Sequence, residues 1–160
     1  MCLIICLCLC LCAASCAKKN NTAEEILGGI MSEINNLPGG RIYLSNAEEG
    51  SEEFLSEDIA KSLYGEAATQ SLSLTRDFAI YLSAFALPCE IAVFLCYSAS
   101  DALTVERMCR ERADILLVAL RESDLCDLRL AATVVRKGRT VVFAMTDNAP
   151  RAERAIKGFI

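Results

Sequence analysis

Hydrophobic positions in this 160-residue chain change period along its length, and the changes mark out elements. Thr22-Ala23-Glu24-Glu25 has the form of a capping box, with a hydroxyl at the cap and a carboxylate three residues on. Ile26, Leu27, Ile30, Met31 and Ile34 then recur with a helical period and predict one buried face. Asn35-Asn36-Leu37-Pro38-Gly39-Gly40 stops that helix. Gly28-Gly29 inside it costs about 1–2 kcal/mol by propensity, a deficit that packing of the apolar face has to cover. Residues 41–45 predict a short extended piece, and Glu48, Glu49, Glu52 and Glu53 an acidic, solvated loop. A second short helix is expected from Ser56, burying Ile59, Leu63 and Tyr64 and ending at Gly65.

From Leu74 the period falls to two. Phe78, Ile80, Leu82 and Ala84 alternate with Ala79, Tyr81 and Ser83, as in a half-buried strand. Glu90 to Tyr97 is continuously apolar after its first residue, which predicts a central strand covered on both faces. Ser98 or Ser100 caps a long helix reaching about Ser123. Its expected apolar set is Leu103, Met108, Ile115, Leu116 and Ala119, with Glu106, Arg110 and Arg112 opposite. Leu130–Val135 and Thr140–Met145 predict a hairpin turning at Lys137-Gly138. Asp147 or Asn148 caps a last helix with Pro150 in its first turn, burying Ala152, Ala155, Ile156 and Phe159. The order β-β-α-β-β-α after two short helices predicts an α+β fold. Strands 74–84, 88–97, 129–136 and 139–146 are expected in one antiparallel sheet, with helix 99–122 and the other helices on one face. The expected core includes Ile80, Ile91, Val93, Leu116, Val134, Val142 and Phe159.

The amino terminus follows a different pattern. Residues 1–17, MCLIICLCLCLCAASCA, carry no charged side chain before Lys18 and Lys19. The run is short for a membrane span, which needs roughly 20 residues, and suits the apolar part of a secretory signal. Ala13-Ala14-Ser15-Cys16 resembles a bacterial lipobox, in which small residues precede a Cys that becomes the lipidated first residue. Two features depart from that pattern: Ala13 stands where Leu is usual, and no Lys or Arg precedes the run. The chain therefore divides into a signal or anchor over 1–16, a tether over 17–21 and one α+β domain over 22–160. The expected partner at the amino terminus is membrane lipid through Cys16, on the extracytoplasmic face of a bacterial cell membrane. An uncleaved single-pass anchor and an artefactual or cytosolic start are the alternatives, and a start codon placed too late would account for the missing basic residues.

Composition narrows the chemistry. Of ten Cys, six lie at positions 2, 6, 8, 10, 12 and 16, where they serve as small hydrophobes. Cys89, Cys96, Cys109 and Cys126 are spaced too irregularly for a zinc site and are expected as free thiols. With no His in the chain, the commonest general base and metal ligand is missing, and neither a metal nor a cofactor is expected. A net charge of −5 without a basic cluster argues against nucleic acid. The Gly pairs match no phosphate-binding loop, there is no G-x-S-x-G elbow, and no catalytic residues are assigned. Lys61 and Ser62 are adjacent on a helix and do not face each other. Cys109 would be a nucleophile only with its pKa lowered by a neighbour such as Arg110. Glu90, an acid opening an apolar strand, is the one residue singled out. It is expected either to pair across strands with Arg76 or, with Arg76, to contact a ligand or partner.

The segments Leu63-Tyr64-Gly65, Glu90-Ile91-Ala92-Val93-Phe94 and Val134-Val135-Arg136-Lys137-Gly138, with Arg112 in the long helix, carry a resemblance. Residues 55–160 resemble domain-of-unknown-function family 4358, found in bacterial, mostly clostridial, proteins that often carry lipoprotein signals. Cys89 stands where that family usually has Asp, and Thr140 near its usual aromatic. The resemblance implies location and fold and brings no activity. The reading from sequence is a lipid-anchored, non-catalytic binding or accessory module with a protein or small-molecule partner. A small thiol- or carboxylate-dependent hydrolase, or an anchored assembly subunit of a membrane complex, is the alternative.

Overall fold

The structure, a computed structural model, describes residues 21–84, 88–124 and 129–160. Cys16 and Cys126 lie outside the described residues. The elements run α1 (Ala23–Glu33), β1 (Gly40–Leu44), α2 (Glu57–Tyr64), α3 (Ala68–Leu72), β2 (Thr75–Ser83) and β3 (Glu90–Cys96). They continue with α4 (Ala99–Arg121), β4 (Ala131–Lys137), β5 (Thr140–Thr146) and α5 (Ala149–Phe159). The five strands form one sheet in the order β1-β2-β3-β5-β4, each pair antiparallel. The fold is α+β, and the four strands read from the sequence share that sheet.

The helix starts lie where the local chemistry puts them. Thr22 Oγ1 accepts from Glu25 N and Glu25 Oε2 accepts from Thr22 N, both at 3.1 Å, closing the capping box. Ser56, Ser98 and Asn148 cap α2, α4 and α5 through their side-chain oxygens. Each satisfies a backbone N–H that the first helical turn leaves without a partner.

The helices cover both faces of the sheet rather than one. Ile80, Ala92, Phe94, Val141, Phe143 and Met145 pack with α2, α3 and α4. Ala79, Tyr81, Ile91, Val93, Leu95, Val142 and Ala144 pack with α1 and α5. Every residue of β3 is buried, and so is all of β5 after Thr140. Alternate side chains of a strand point to opposite faces, so continuous apolarity in β3 and β5 demands a cover on each side. α1, from outside the β-β-α-β-β-α segment, is half of the second cover.

Three expectations are corrected in detail. The hairpin turns at Gly138-Arg139, since Lys137 pairs with Thr140. Gly138 takes φ 60° while Arg139 does not take positive φ, the arrangement that places Gly first in a two-residue turn. On α4 the buried set is Ala102, Val105, Met108, Cys109, Ala113, Leu116 and Leu120, while Leu103, Ile115 and Ala119 are exposed. Val134 and Phe159 are half-buried: Val134 sits on an edge strand, and Phe159 at the end of α5. The Phe159 ring lies over Gly29, where a Cβ would fall 2.3 Å from its Cε1. Gly29 is therefore what lets α1 and α5 approach so closely.

Candidate functional site

Glu90 opens β3 directly opposite Leu82 of β2, and its side chain turns into the α4 face of the sheet. Arg76 belongs to the opposite end of β2, beside Thr75, which pairs with Cys96. The expected Glu90–Arg76 pair is thus not formed, because the antiparallel register separates the two residues by the length of the strand. The partner of Glu90 is Arg112 of α4, whose Nε and Nη2 lie 3.0 and 2.9 Å from Oε2. The other oxygen, Oε1, accepts from Tyr64 Oη of α2 at 2.8 Å. Side-chain exposure is 2% for Glu90 and 13% for Arg112.

Three elements therefore meet at one buried carboxylate. The Tyr64 ring stands edge-on to Phe94, with centroids 6.0 Å apart and planes at 78°, a favourable aromatic geometry. Burial raises the pKa of Glu90, opposed by the Arg112 charge and then by the Tyr64 hydrogen bond. Burial, followed by the charge of Glu90, holds the Tyr64 hydroxyl well above its ordinary value. Donors surround both carboxylate oxygens, so the charge is compensated where it lies. A buried carboxylate so paired is costly to strip of one partner, at about 3–5 kcal/mol. This geometry ties α2 and α4 to the sheet.

Sequence reasoning singled out Glu90 and placed Arg112 on the wrong side of α4. The signal was present: Val105, Cys109, Arg112 and Leu116 follow 4-3-4 spacing, the progression of a single helix face. Polarity alone puts Arg112 opposite the apolar set.

The described free cysteines are Cys89, Cys96 and Cys109. Cys109 is fully buried, and burial, followed by the charge of Glu90, pushes its thiol well above the ordinary value. Arg110, named in the sequence reading as a neighbour that would activate it, instead bonds Glu106 at 2.6 Å. Cys96 is pushed up to about 11 by burial and then by Asp101. Cys89 is half-buried and lines a 120 Å³ cavity with Asn36, Leu37, Pro38, Leu130, Thr146 and Asp147. Among the described residues the Thr146 hydroxyl, in a residue 1% exposed, has no hydrogen-bond partner. Its thiol neighbour is raised by burial and then by Asp147. At the other end of the sheet, Arg76, Lys137 and Arg139 line a cleft of about 590 Å³ together with Asn21. Among the described residues no group of three or more His, Cys, Asp or Glu is placed to hold a metal ion. Among the same residues no helix is long and apolar enough to cross a membrane.

No family model, curated protein or solved structure matches the chain.

Proposed function

We propose that the chain is a lipid-anchored, extracytoplasmic binding or accessory module, held on a bacterial cell membrane through Cys16. The observation that carries the reading is Ala13-Ala14-Ser15-Cys16 at the end of an uncharged run, with Cys16 six residues before the Thr22 cap of α1. A covalent acyl chain contributes about 0.8 kcal/mol per buried CH₂, and two or more chains give stable anchoring. The buried groups of the domain support a binding role over a catalytic one. The oxygens of Glu90 are occupied by Tyr64 and Arg112, and Cys109 is sealed in the core as a thiol. The cavity lined by Cys89, Asn36, Leu130, Thr146 and Asp147 supports a small-molecule partner.

Expression in a bacterium with labelled palmitate tests this reading. Wild type is expected to take up label, and Cys16→Ser to lose it and accumulate as precursor. Equal labelling of both chains would reject lipidation at Cys16.

One observation favours a second reading, an anchored subunit of a membrane complex. Ile115 and Val118, one turn apart on the outer face of α4, are 56% and 48% exposed. If that face docks a partner subunit, Ile115→Lys with Val118→Lys shifts the native-gel mobility of the membrane complex without lowering the melting temperature. Unchanged mobility would reject it.

A further inference from the structure

We propose that the end of the sheet from which the tether leaves is a docking surface for an anionic membrane. The inference rests on the anchored reading above and adds the orientation and lipid class. The described chain begins at Asn21, and Asn21 lines the same cleft as Arg76, Lys137 and Arg139. All three cations are exposed, and Lys137 Nζ also donates to Ile160 O, which lines the same cleft, at 2.5 Å. They come from three strands that end or begin together: Arg76 from β2, Lys137 from β4, and Arg139 from the turn leading into β5.

The hairpin is fixed to this end. The Arg139 carbonyl accepts from Cys96 N at 2.8 Å, and Arg139 Nη1 lies 3.4 Å from the Tyr97 carbonyl. Tyr97 is 61% exposed beside it, an amphipathic ring of the kind that settles at headgroup level. Lys18 and Lys19 lie just ahead in the sequence.

Near this end Asp77 and Asp101 are hydrogen-bonded to neutral donors, Ile160 O meets Lys137, and other acids lie to one side. Asp77 accepts from Ala23 N and Ser45 Oγ at 2.7 Å, and Asp101 from Ser98 Oγ at 2.7 Å. Glu24 and Glu48 line a separate cleft against β1. The end is therefore polarised across the sheet, basic towards the hairpin and acidic towards β1. On a negative surface such a domain leans on its hairpin side with β1 turned away.

The tether makes this contact obligatory in range. Five residues from Cys16 to Asn21 span at most about 17 Å, so an anchored domain stays near the headgroups at high effective concentration. Screening confines the attraction to about 10 Å or less at physiological salt, which singles out cations at the tether end of the molecule.

The test uses the full chain with vesicles of neutral phosphatidylcholine and vesicles containing phosphatidylglycerol, read by co-sedimentation and hydrogen exchange. The chain is expected to sediment with both. Amides of residues 137–140 and of Tyr97 should exchange several-fold more slowly on the anionic vesicles at low salt, and equally on both at high salt. Arg76→Gln with Arg139→Gln removes two surface charges and should weaken docking about 30-fold, abolishing the slowing. Far-UV circular dichroism checks that this variant is folded. Equal exchange on the two lipids, with the chain bound to both, overturns the docking surface and leaves the anchor standing. Sedimentation with anionic vesicles alone, lost in the double variant, supports the docking surface and overturns the anchor. Sedimentation with neither overturns both. Slowing reproduced by inorganic phosphate without vesicles makes the cleft a soluble-anion site and overturns membrane docking.

Discussion

At the scale of single residues, Glu90 shows how one charge in an apolar strand organises its surroundings. Removing its carboxylate from water is unfavourable, and the fold compensates with Arg112 and Tyr64 rather than with solvent. Arg112→Ala leaves that charge unpaired and is expected to destabilise the protein by about 3–5 kcal/mol in urea unfolding. The combined replacement Tyr64→Phe, Glu90→Leu and Arg112→Met removes charge and partners together, and should regain most of that loss. A triple variant as unstable as Arg112→Ala would mean that the network does more than neutralise itself. Glu90 was legible as an anomaly in the sequence, because an acid inside a continuous apolar run has to find a partner. Which partner it found was not, since strand register decides that Arg76 sits at the far end and helix phase decides that Arg112 faces inwards.

At the scale of elements, two junctions carry testable consequences. α1 meets α5 through Gly29 and the Phe159 ring. Gly29→Ala is expected to cost about 1–3 kcal/mol through overpacking, and much less in a background already carrying Phe159→Ala. Additive costs in the double variant would show that the two residues do not share this contact. Phe159→Ala alone should cost about 2 kcal/mol, below the range for a fully buried Phe, because the ring is half-exposed. α4 is tied to β4 by Glu106, whose Oε2 accepts from Arg136 Nε at 2.6 Å while Oε1 accepts from Arg110. Hydrogen bonds from Arg110, then Arg136, hold the Glu106 carboxyl below its ordinary 4.5. The unfolded chain therefore takes up this proton first as the pH falls. The stability that Glu106 adds over Glu106→Gln should be whole above about pH 4.5 and fade as the pH drops through the folded value. A gap that stays constant down to acid pH would contradict the assignment.

Helix starts, strands and the hairpin were readable from the sequence because their signals are local: Thr22 with Glu25, Ser98, Asn148, and the period of two in β2. α3 was not, since Ala68–Leu72 is short and has no side-chain cap. The second helical layer was missed for a different reason. The chain order after Leu74 says nothing of where α1 returns, whereas the burial demanded by β3 and β5 does.

At the scale of the whole molecule, the charge is polarised as well as the core layered. Net charge is −5, yet Arg76, Lys137 and Arg139 gather beside Asn21, and Glu24 and Glu48 lie against β1. Such a distribution gives the domain a preferred side without any change in its packing. Attachment at Cys16 sets the length of the tether and holds the basic end within reach of the headgroups. The intact mass of the protein purified from bacterial membranes, with tandem fragmentation of its first peptide, tests this most directly. A chain beginning at Cys16, with residues 1–15 removed and a diacylglyceryl group on that sulfur, is the expected result. A membrane-bound chain that retains residues 1–15, with Cys16 unmodified, would contradict it.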